Sequence, residues 1–276
     1  MLKIKKQAQS IYAFKETGGE VLNFQIEKDC LKLFSGEEIL CEINDEIISN
    51  RLFRINKVIL SDEKICILCN DEAHSYLIIS CMTEGKFKYK IGEAALNFIL
   101  LKNEAYIIYS EEGIFGNEYI SYLEKGFLGR KDKLPLARLA FMKIDIFTGE
   151  ITGLLDDTIL ETLIDVQSIS CNNKSIRILC YEENGDDFTL DYDLTSKKVQ
   201  NKVVLEYTVS GLLSVRNNFY AWYRNRIYQV NESMEIKEEI IIDKKVYDEA
   251  SSISIGYSEL VLESENEFNI VQLSKL

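Results

Sequence analysis

The segment ILLKNEAYIIY at residues 99–109 consists of two apolar runs joined by a short polar turn, and the same arrangement recurs along the chain. Apolar runs of this length, bounded by polar turns, are typical of β-strands paired in hairpins. The pattern therefore predicts an array of similar β-units. The other copies are VILSDEKICIL (58–68), SISCNNKSIRIL (168–179), LLSVRNNFYAWY (212–223) and ISIGYSELVLE (253–263), with turn centres near Asp62, Asn103, Asn173, Asn217 and Tyr257.

The spacing of these turn centres, which is 41, 70, 44 and 40 residues, predicts the fold class. A repeat of about 40 to 50 residues that holds four short strands is typical of a β-propeller blade. We predict an all-β protein with a single domain over residues 1–276, folded as a six-bladed β-propeller. Five or seven blades are alternatives, because the first unit is weakly marked. The segment LKIKKQ (2–7) is predicted to complete the last blade and close the ring.

One hairpin carries a resemblance to a known class of protein. The segment KIDIFTGEITGL (143–154) contains Asp145, Thr148, Gly149 and Glu150 in a turn that resembles those of bacterial β-propeller repeat proteins, with looser copies at 80–87 and 191–199. The resemblance implies an architecture. It implies no activity, because the sequence has no full Trp-Asp, Kelch or quinone-binding signature.

Composition argues against several classes of function. The formal net charge is −13, whereas nucleic-acid binders usually present a basic surface. No apolar run approaches the roughly 20 residues of a membrane helix, and the first residues lack the apolar core of a signal peptide. Seven cysteines without an export signal suit reduced thiols. We therefore expect a cytoplasmic protein that has a protein partner, no cofactor and no contact with nucleic acid or membrane.

The interval of 70 residues indicates an insertion in the third blade, at about residues 113–140. This segment has five basic and three acidic residues, in contrast to the acidic chain, and a short helix capped by Asn117 is predicted to run through Glu124. Long loops on a rigid scaffold often bind partners. We predict a non-catalytic binding module; the alternative is that the insertion packs only on itself. The predicted contact residues are Tyr119, Tyr122, Phe127, Arg130 and Arg138.

Catalysis has little support in the sequence, and we expect no catalytic residue. His74 is the one histidine, so any nucleophile that needs an imidazole base must use it. Cys66 and Cys69 lie three apart in a predicted strand and should therefore point to opposite faces, which argues against a metal site with Cys81. Structural, reduced cysteines are the favoured interpretation.

Two other functions remain open at this stage. A metal-dependent hydrolase could hold its ion in the central channel, with Asn56, Asp165 and Gln167 as oxygen ligands. A structural subunit of a larger assembly would instead show a broad apolar patch. Solvent-facing positions are predicted for Asp191 and Asp193 and for the turn residues Arg224 and Arg226, whereas Trp222 is expected between blades. One face is predicted to collect acidic loops, at Asp45, Glu46, Asp71, Glu72, Asp156, Asp157, Glu182, Glu183, Asp186, Asp187, Asp248 and Glu249.

Overall fold

The structure, a computed structural model, describes residues 1–6, 9–15, 18–61, 64–81 and 83–273. The turn predicted at Asp62 lies outside these ranges. The described residues contain 24 strands, and the first nine are β1 (Leu2–Lys5), β2 (Ser10–Phe14), β3 (Glu20–Glu27), β4 (Cys30–Ser35), β5 (Glu38–Asn44), β6 (Arg54–Leu60), β7 (Lys64–Asn70), β8 (Ser75–Cys81) and β9 (Gly85–Lys90).

The remaining strands follow the same hairpin pattern, interrupted by four short α-helices. The strands are β10 (Ala95–Leu101), β11 (Glu104–Tyr109), β12 (Phe141–Asp145), β13 (Ile151–Gly153), β14 (Leu163–Cys171), β15 (Ser175–Glu182), β16 (Asp187–Asp193), β17 (Lys198–Val204), β18 (Gly211–Val215), β19 (Asn218–Tyr223), β20 (Arg226–Val230), β21 (Ile236–Ile241), β22 (Ser252–Ile255), β23 (Glu259–Glu263) and β24 (Glu267–Gln272). The helices are α1 (Glu111–Ile114), α2 (Asn117–Glu124), α3 (Asp157–Thr162) and α4 (Lys244–Asp248), and 3-10 turns lie at Glu46–Ser49, Lys131–Lys133 and Leu136–Leu139.

The strands form an all-β propeller, but the prediction of six blades is wrong. Four sheets have four strands each: β10 to β13, β14 to β17, β18 to β21, and β22 to β24 with β1. The other strands form one eight-stranded sheet in the order β5-β4-β3-β2-β6-β7-β8-β9. Its centre is a parallel pairing of β2 with β6, in which Ala13 faces Val58 and Phe14 faces Ile59. Backbone hydrogen bonds thus merge what the repeat pattern had predicted as two separate blades.

The N-terminal strand lies on the outer edge of the last sheet. Leu2 to Lys5 pair antiparallel with β24, and Leu2 faces Ile270. This is the position that the sequence predicted for LKIKKQ. Residues near the two ends of the described chain are therefore held together by backbone hydrogen bonds between β1 and β24.

The first strands of successive units lie side by side around the centre. Contacts run from β2 to β6, β10, β14, β18 and β22 in turn. Between the last and the first of these, Gly256 packs so closely on Phe14 that a Cβ at Gly256 would lie 2.1 Å from its ring. A bulge recurs at the same place in β6, β10 and β14. These first strands frame a central channel.

The apolar runs that predicted the strands form the core. Ile67, Leu77 and Ile107 are completely buried between sheets, and each such side chain contributes roughly 1.5–3 kcal/mol to stability. Trp222 lies between neighbouring sheets as predicted, packed in one cluster with Leu260 and Val271. No helix within the described ranges combines the length and the apolar character needed to cross a membrane. A single domain over the whole chain stays a prediction.

Candidate interaction site

The connection between β11 and β12 holds the insertion, and a buried carboxylate fixes it to the propeller. Glu93, in the loop between β9 and β10, accepts a hydrogen bond of 2.9 Å from the backbone nitrogen of Glu118 in the first turn of α2. Gly116 is the N-cap residue and provides no side-chain bond. A Cβ at Gly116 would lie 2.6 Å from Glu93 Oε2. The helix ends at Glu124 as predicted. Its start differs from the prediction, because Asn117 is the first helical residue and the carboxylate of Glu93 accepts the capping hydrogen bond.

The aromatic side chains of the insertion pack on one another. Phe115 meets Tyr119 edge-on at 6.0 Å between ring centroids, and Tyr119 stacks on Tyr122 at 5.9 Å. Phe127 continues the series at 6.3 Å from Tyr122. Offset aromatic pairs of this kind add stability beyond their buried area. The three predicted aromatic anchors thus belong to one cluster, with Tyr122 at its centre and only 5% exposed.

Two arginines contact the aromatic rings at the edges of this cluster. Arg138 places its guanidinium carbon 4.8 Å from the Phe115 ring centroid and 5.1 Å from that of Tyr119, and it donates to the carbonyl of Leu160 at 2.9 Å. Arg130 lies 5.8 Å from the Phe127 ring centroid and forms an exposed ion pair with Asp132 at 2.9 Å. A cation over an aromatic face is attracted to it. Both predicted arginines therefore contact the predicted aromatic residues.

The sequence prediction missed a set of exposed aliphatic side chains beside this cluster. Ile120 and Leu123 are 49% and 42% exposed, and Leu128 is 74% exposed. Phe115, whose ring begins the aromatic series, is 39% exposed. The segment 117–124 is apolar on both sides of the helix, which is the signal that could have revealed a second, solvent-facing apolar surface. We call Phe115, Ile120, Leu123 and Leu128 the exposed apolar set.

A cavity of about 400 Å³ lies between α2 and the following loop. Its walls include Glu93, Tyr122 and Phe127, and its other sides carry Lys125 and Lys133. A further ion pair, Lys131 to Asp157 at 2.6 Å, connects the insertion to the start of α3. The insertion is thus a small folded unit with its own core and several basic side chains at its rim.

The histidine and the cysteines that the sequence singled out lie in different surroundings. His74 lies beside two carboxylates, with Nε2 3.6 Å from Glu118 Oε1 and Nδ1 3.9 Å from Asp71 Oδ1. Cys66 and Cys69 belong to different apolar clusters, so their sulfurs diverge as predicted. Burial raises the pKa of both thiols to about 12. Within the described ranges, no group of three His, Cys, Asp or Glu residues could hold a metal ion.

The central channel contains an amine where the hydrolase hypothesis needed oxygen ligands. Lys57 of β6 donates to Asn97 Oδ1 at 2.7 Å and to the carbonyl of Ile255 at 2.9 Å. It also lies 5.0 Å from the Phe14 ring centroid. Asp165 does not reach this group; it accepts a bond of 3.0 Å from the backbone of Glu111. Asn56 is exposed and Gln167 is partly buried.

The solvent-facing position predicted for Asp191 is wrong. Asp191 is 4% exposed and forms a bidentate ion pair with Arg177, whose Nε and Nη2 donate to it at 2.6 and 2.8 Å. Arg177, on the neighbouring strand β15, is itself 1% exposed. Asp193 accepts two backbone bonds in a turn. Arg226 pairs with Glu239, and Arg224 lies over the ring of Tyr223.

Comparisons with known proteins found similarity of fold only. No family model matches the chain, and no curated protein matches it. Among solved structures, the AfRom2 CNH domain has 13% identity and a TM-score of 0.48 over 90% of this chain and 75% of that one. The Dos1 propeller has 10% identity and a TM-score of 0.49, over 90% and 66% of the two chains. Sqt1 of Saccharomyces cerevisiae has 12% identity and a TM-score of 0.41, over 95% and 83%.

Proposed function

We propose that the chain is a non-catalytic protein-binding module and that the insertion at residues 113–140 is its docking surface. The observation that carries this proposal is the exposed apolar set, four large side chains that face solvent within 14 residues of one another on a segment fixed to the propeller. Apolar side chains grouped on a rigid surface are typical of protein interfaces. The set lies on a folded unit rather than on an extended loop, so little ordering is needed on binding.

Charge indicates the kind of partner. The insertion has five basic and three acidic residues in a chain of net charge −13. Lys125 and Lys133 beside the cavity have no ion pair among the described residues, and both are exposed. A surface of this charge favours an opposing surface that carries acidic side chains. The proposed partner therefore presents apolar side chains surrounded by carboxylates.

The predicted contact residues divide by their exposure. Arg130 is exposed, and Tyr119 and Phe127 retain part of their surface next to the exposed apolar set. We assign these three to direct contact with the partner. Tyr122 and Arg138 lie inside the insertion, where they position the others. The hydrolase hypothesis is not carried forward, because the channel contains the amine of Lys57, bound to Asn97 Oδ1 and the carbonyl of Ile255, and Asp165 is bonded elsewhere.

The test removes the exposed apolar set without disturbing the core. The variant Ile120→Ser/Leu123→Ser/Leu128→Ser is compared with a matched control, Ile39→Ser/Ile236→Ser/Ile241→Ser, whose three aliphatic side chains are also exposed but lie on outer strands. Each tagged protein is used for affinity capture from the native cell extract. A protein retained by the parent is then purified, and its affinity is measured directly at low and at physiological salt.

The proposal predicts that the insertion variant loses the partner whereas the control retains it. It also predicts weaker binding at higher salt, because exposed charges are screened. Urea denaturation should show that all three proteins unfold at similar midpoints. Equal capture by the insertion variant and the parent would exclude this docking surface. A captured partner without an acidic surface would exclude the proposed charge complementarity.

A further inference from the structure

A second pocket lies at the opposite end of the channel from the insertion. Strand β11 runs from Glu104, at this pocket, to Tyr109, which leads into α1. Six residues of extended strand, roughly 20 Å, therefore separate the two regions. The pocket has a volume of about 960 Å³ and is lined by the turns that connect β10 to β11, β14 to β15, β18 to β19 and β22 to β23.

The charged lining of this pocket is mostly cationic. Lys102, Lys197 and Arg216 line it, and Glu104 is the one acidic residue among its lining residues. Burial alone would raise the pKa of Glu104, but hydrogen bonds from Lys143 and Tyr106 lower it, so this carboxylate stays charged and already has partners. Lys197 pairs with Glu104 at 3.7 Å, whereas in the described part of the chain Lys102 and Arg216 have no ion pair. A chain of net charge −13 thus holds uncompensated positive charge at one end of its channel.

The turns themselves do not account for these cations. Lys102, Lys197 and Arg216 all have left-handed backbone conformations, with φ of 55°, 58° and 55°. Glycine and asparagine are the residues that adopt this conformation most readily in tight hairpins. Lysine and arginine are therefore not required by these turns. Lys28 and Arg224 have the same conformation outside the pocket, so the distinguishing property of Lys102, Lys197 and Arg216 is that their charges lie around one pocket.

The lining of the pocket includes side chains with hydroxyl groups. The hydroxyl of Tyr257 donates to the carbonyl of Leu100 at 3.0 Å and accepts from its backbone nitrogen at 3.3 Å. This side chain thus bridges the β22–β23 turn and β10 across the channel. Ser214 also lines the pocket. A ligand held in this pocket would contact hydroxyl groups as well as cationic side chains.

We propose that this pocket binds a small polyanion, a molecule of metabolite size with two or more phosphate or carboxylate groups, through Lys102, Lys197 and Arg216. Several cations around one concave site bind such ligands better than single exposed charges do. This site is separate from the insertion and does not depend on its proposed role.

Isothermal titration of the full chain with inorganic pyrophosphate, and separately with citrate, tests the proposal. The parent is compared with Lys102→Asn/Lys197→Asn/Arg216→Asn. Asparagine suits the left-handed backbone, so this variant should unfold at the same temperature as the parent or higher. The matched control is Lys28→Asn/Arg224→Asn, which makes one lysine and one arginine exchange at φ of 55° and 52° in the β3–β4 and β19–β20 turns, outside the pocket lining.

We expect saturable binding of one polyanion to the parent, weakened about tenfold or more in the pocket variant and changed by less than about twofold in the control. Binding of pyrophosphate alone would identify a phosphate ligand, and binding of citrate alone a carboxylate ligand. Absence of saturable binding for both probes would overturn the proposal, as would equal weakening in the control. The variant Ile120→Ser/Leu123→Ser/Leu128→Ser should bind the polyanion as the parent does.

Discussion

Among the described residues, two cations are buried in different surroundings, Lys57 in the central channel and Arg177 between two neighbouring sheets. Their exposures are 7% and 1%. Arg177 meets the carboxylate of Asp191 in bidentate geometry and also donates to the carbonyl of Glu232 at 3.1 Å. Lys57 donates only to neutral acceptors, an amide oxygen and a backbone carbonyl. One buried cation thus has a counter-charge, and the other has neutral partners, namely two hydrogen-bond acceptors and the ring of Phe14.

The difference shows what a counter-charge adds to a buried cation. Burial lowers the pKa of Lys57 from 10.5 to about 7, because neutral acceptors do not replace the solvation that the ammonium loses. Arg177 instead meets the carboxylate of Asp191, and its guanidinium carbon also lies 4.3 Å from the Phe219 ring centroid. The channel therefore contains an amine whose pKa lies near neutrality, whereas the cation between the sheets is paired with an anion.

The largest expected effect comes from removing the counter-charge of Arg177. Asp191→Asn leaves a buried guanidinium without an anion, so we expect a loss of about 3–5 kcal/mol in the free energy of unfolding. Urea denaturation at neutral pH measures it. A loss below about 1 kcal/mol would mean that the charge of Asp191 is not needed to hold Arg177.

The next effect concerns pH and Lys57. The folded protein releases this proton near pH 7, whereas the unfolded chain keeps it until about pH 10.5, so the unfolded state binds more protons between these values. The free energy of unfolding should therefore rise with pH by up to about 1.4 kcal/mol per unit from Lys57. Urea denaturation at several pH values between about 7.5 and 9 should show that Lys57→Met lacks this rise.

The exposed residue Lys174 provides the control for that comparison. Lys174→Met should retain the pH dependence of the parent. If Lys57→Met and the parent respond to pH identically, Lys57 does not titrate in this range.

A smaller effect would come from giving Lys57 its own carboxylate. Asn97→Asp places an anion where the amide oxygen now accepts from Lys57 at 2.7 Å, and the new carboxylate can still accept from the backbone of Phe98. An opposite charge raises the pKa of a lysine. The rise in stability with pH should therefore become shallower than in the parent, as measured by the same titrations. A steeper rise would contradict this view of the channel.

The smallest effect is expected at an exposed pair of the same chemistry. Arg226 and Glu239 pair on the surface with side chains 49% and 35% exposed. Glu239→Gln should reduce the free energy of unfolding by only a small fraction of the loss expected for Asp191→Asn, because water solvates both partners. Denaturation in parallel with Asp191→Asn shows whether burial makes the difference. A loss as large as that of Asp191→Asn would show that burial is not the cause.

The sequence predicted the strands well because their apolar runs and turn residues are local signals. It could not predict the blade count, since the pairing of Ala13 with Val58 depends on how two distant strand edges meet. It also misplaced Asp191. Arg177, which pairs with Asp191, lies opposite it on the neighbouring strand. The register that places the two residues opposite each other cannot be read from a single sequence.

The insertion was predicted from an unusual repeat interval, and its five predicted contact residues do lie together. Their individual exposures were beyond the sequence. Tyr122 and Ile120 are both apolar residues of α2, yet the first is buried and the second is half exposed. Tyr122 is buried because it packs between Tyr119 and Phe127, a tertiary arrangement that the sequence pattern does not reveal.

The pairing of β1 with β24 has a consequence for the order of folding. The residues paired between β1 and β24, such as Leu2 and Ile270, are farther apart in sequence than those of the other strand pairs described above. Most other strands pair with the strand that precedes or follows them in the chain. Closing a loop of this length costs about 3 kcal/mol more entropy than closing one of ten residues. We therefore expect the last sheet to be completed late, which leaves β24 with an unpaired edge until then. At high concentration we expect β1 of a second molecule to compete for that edge and to form a strand-swapped dimer.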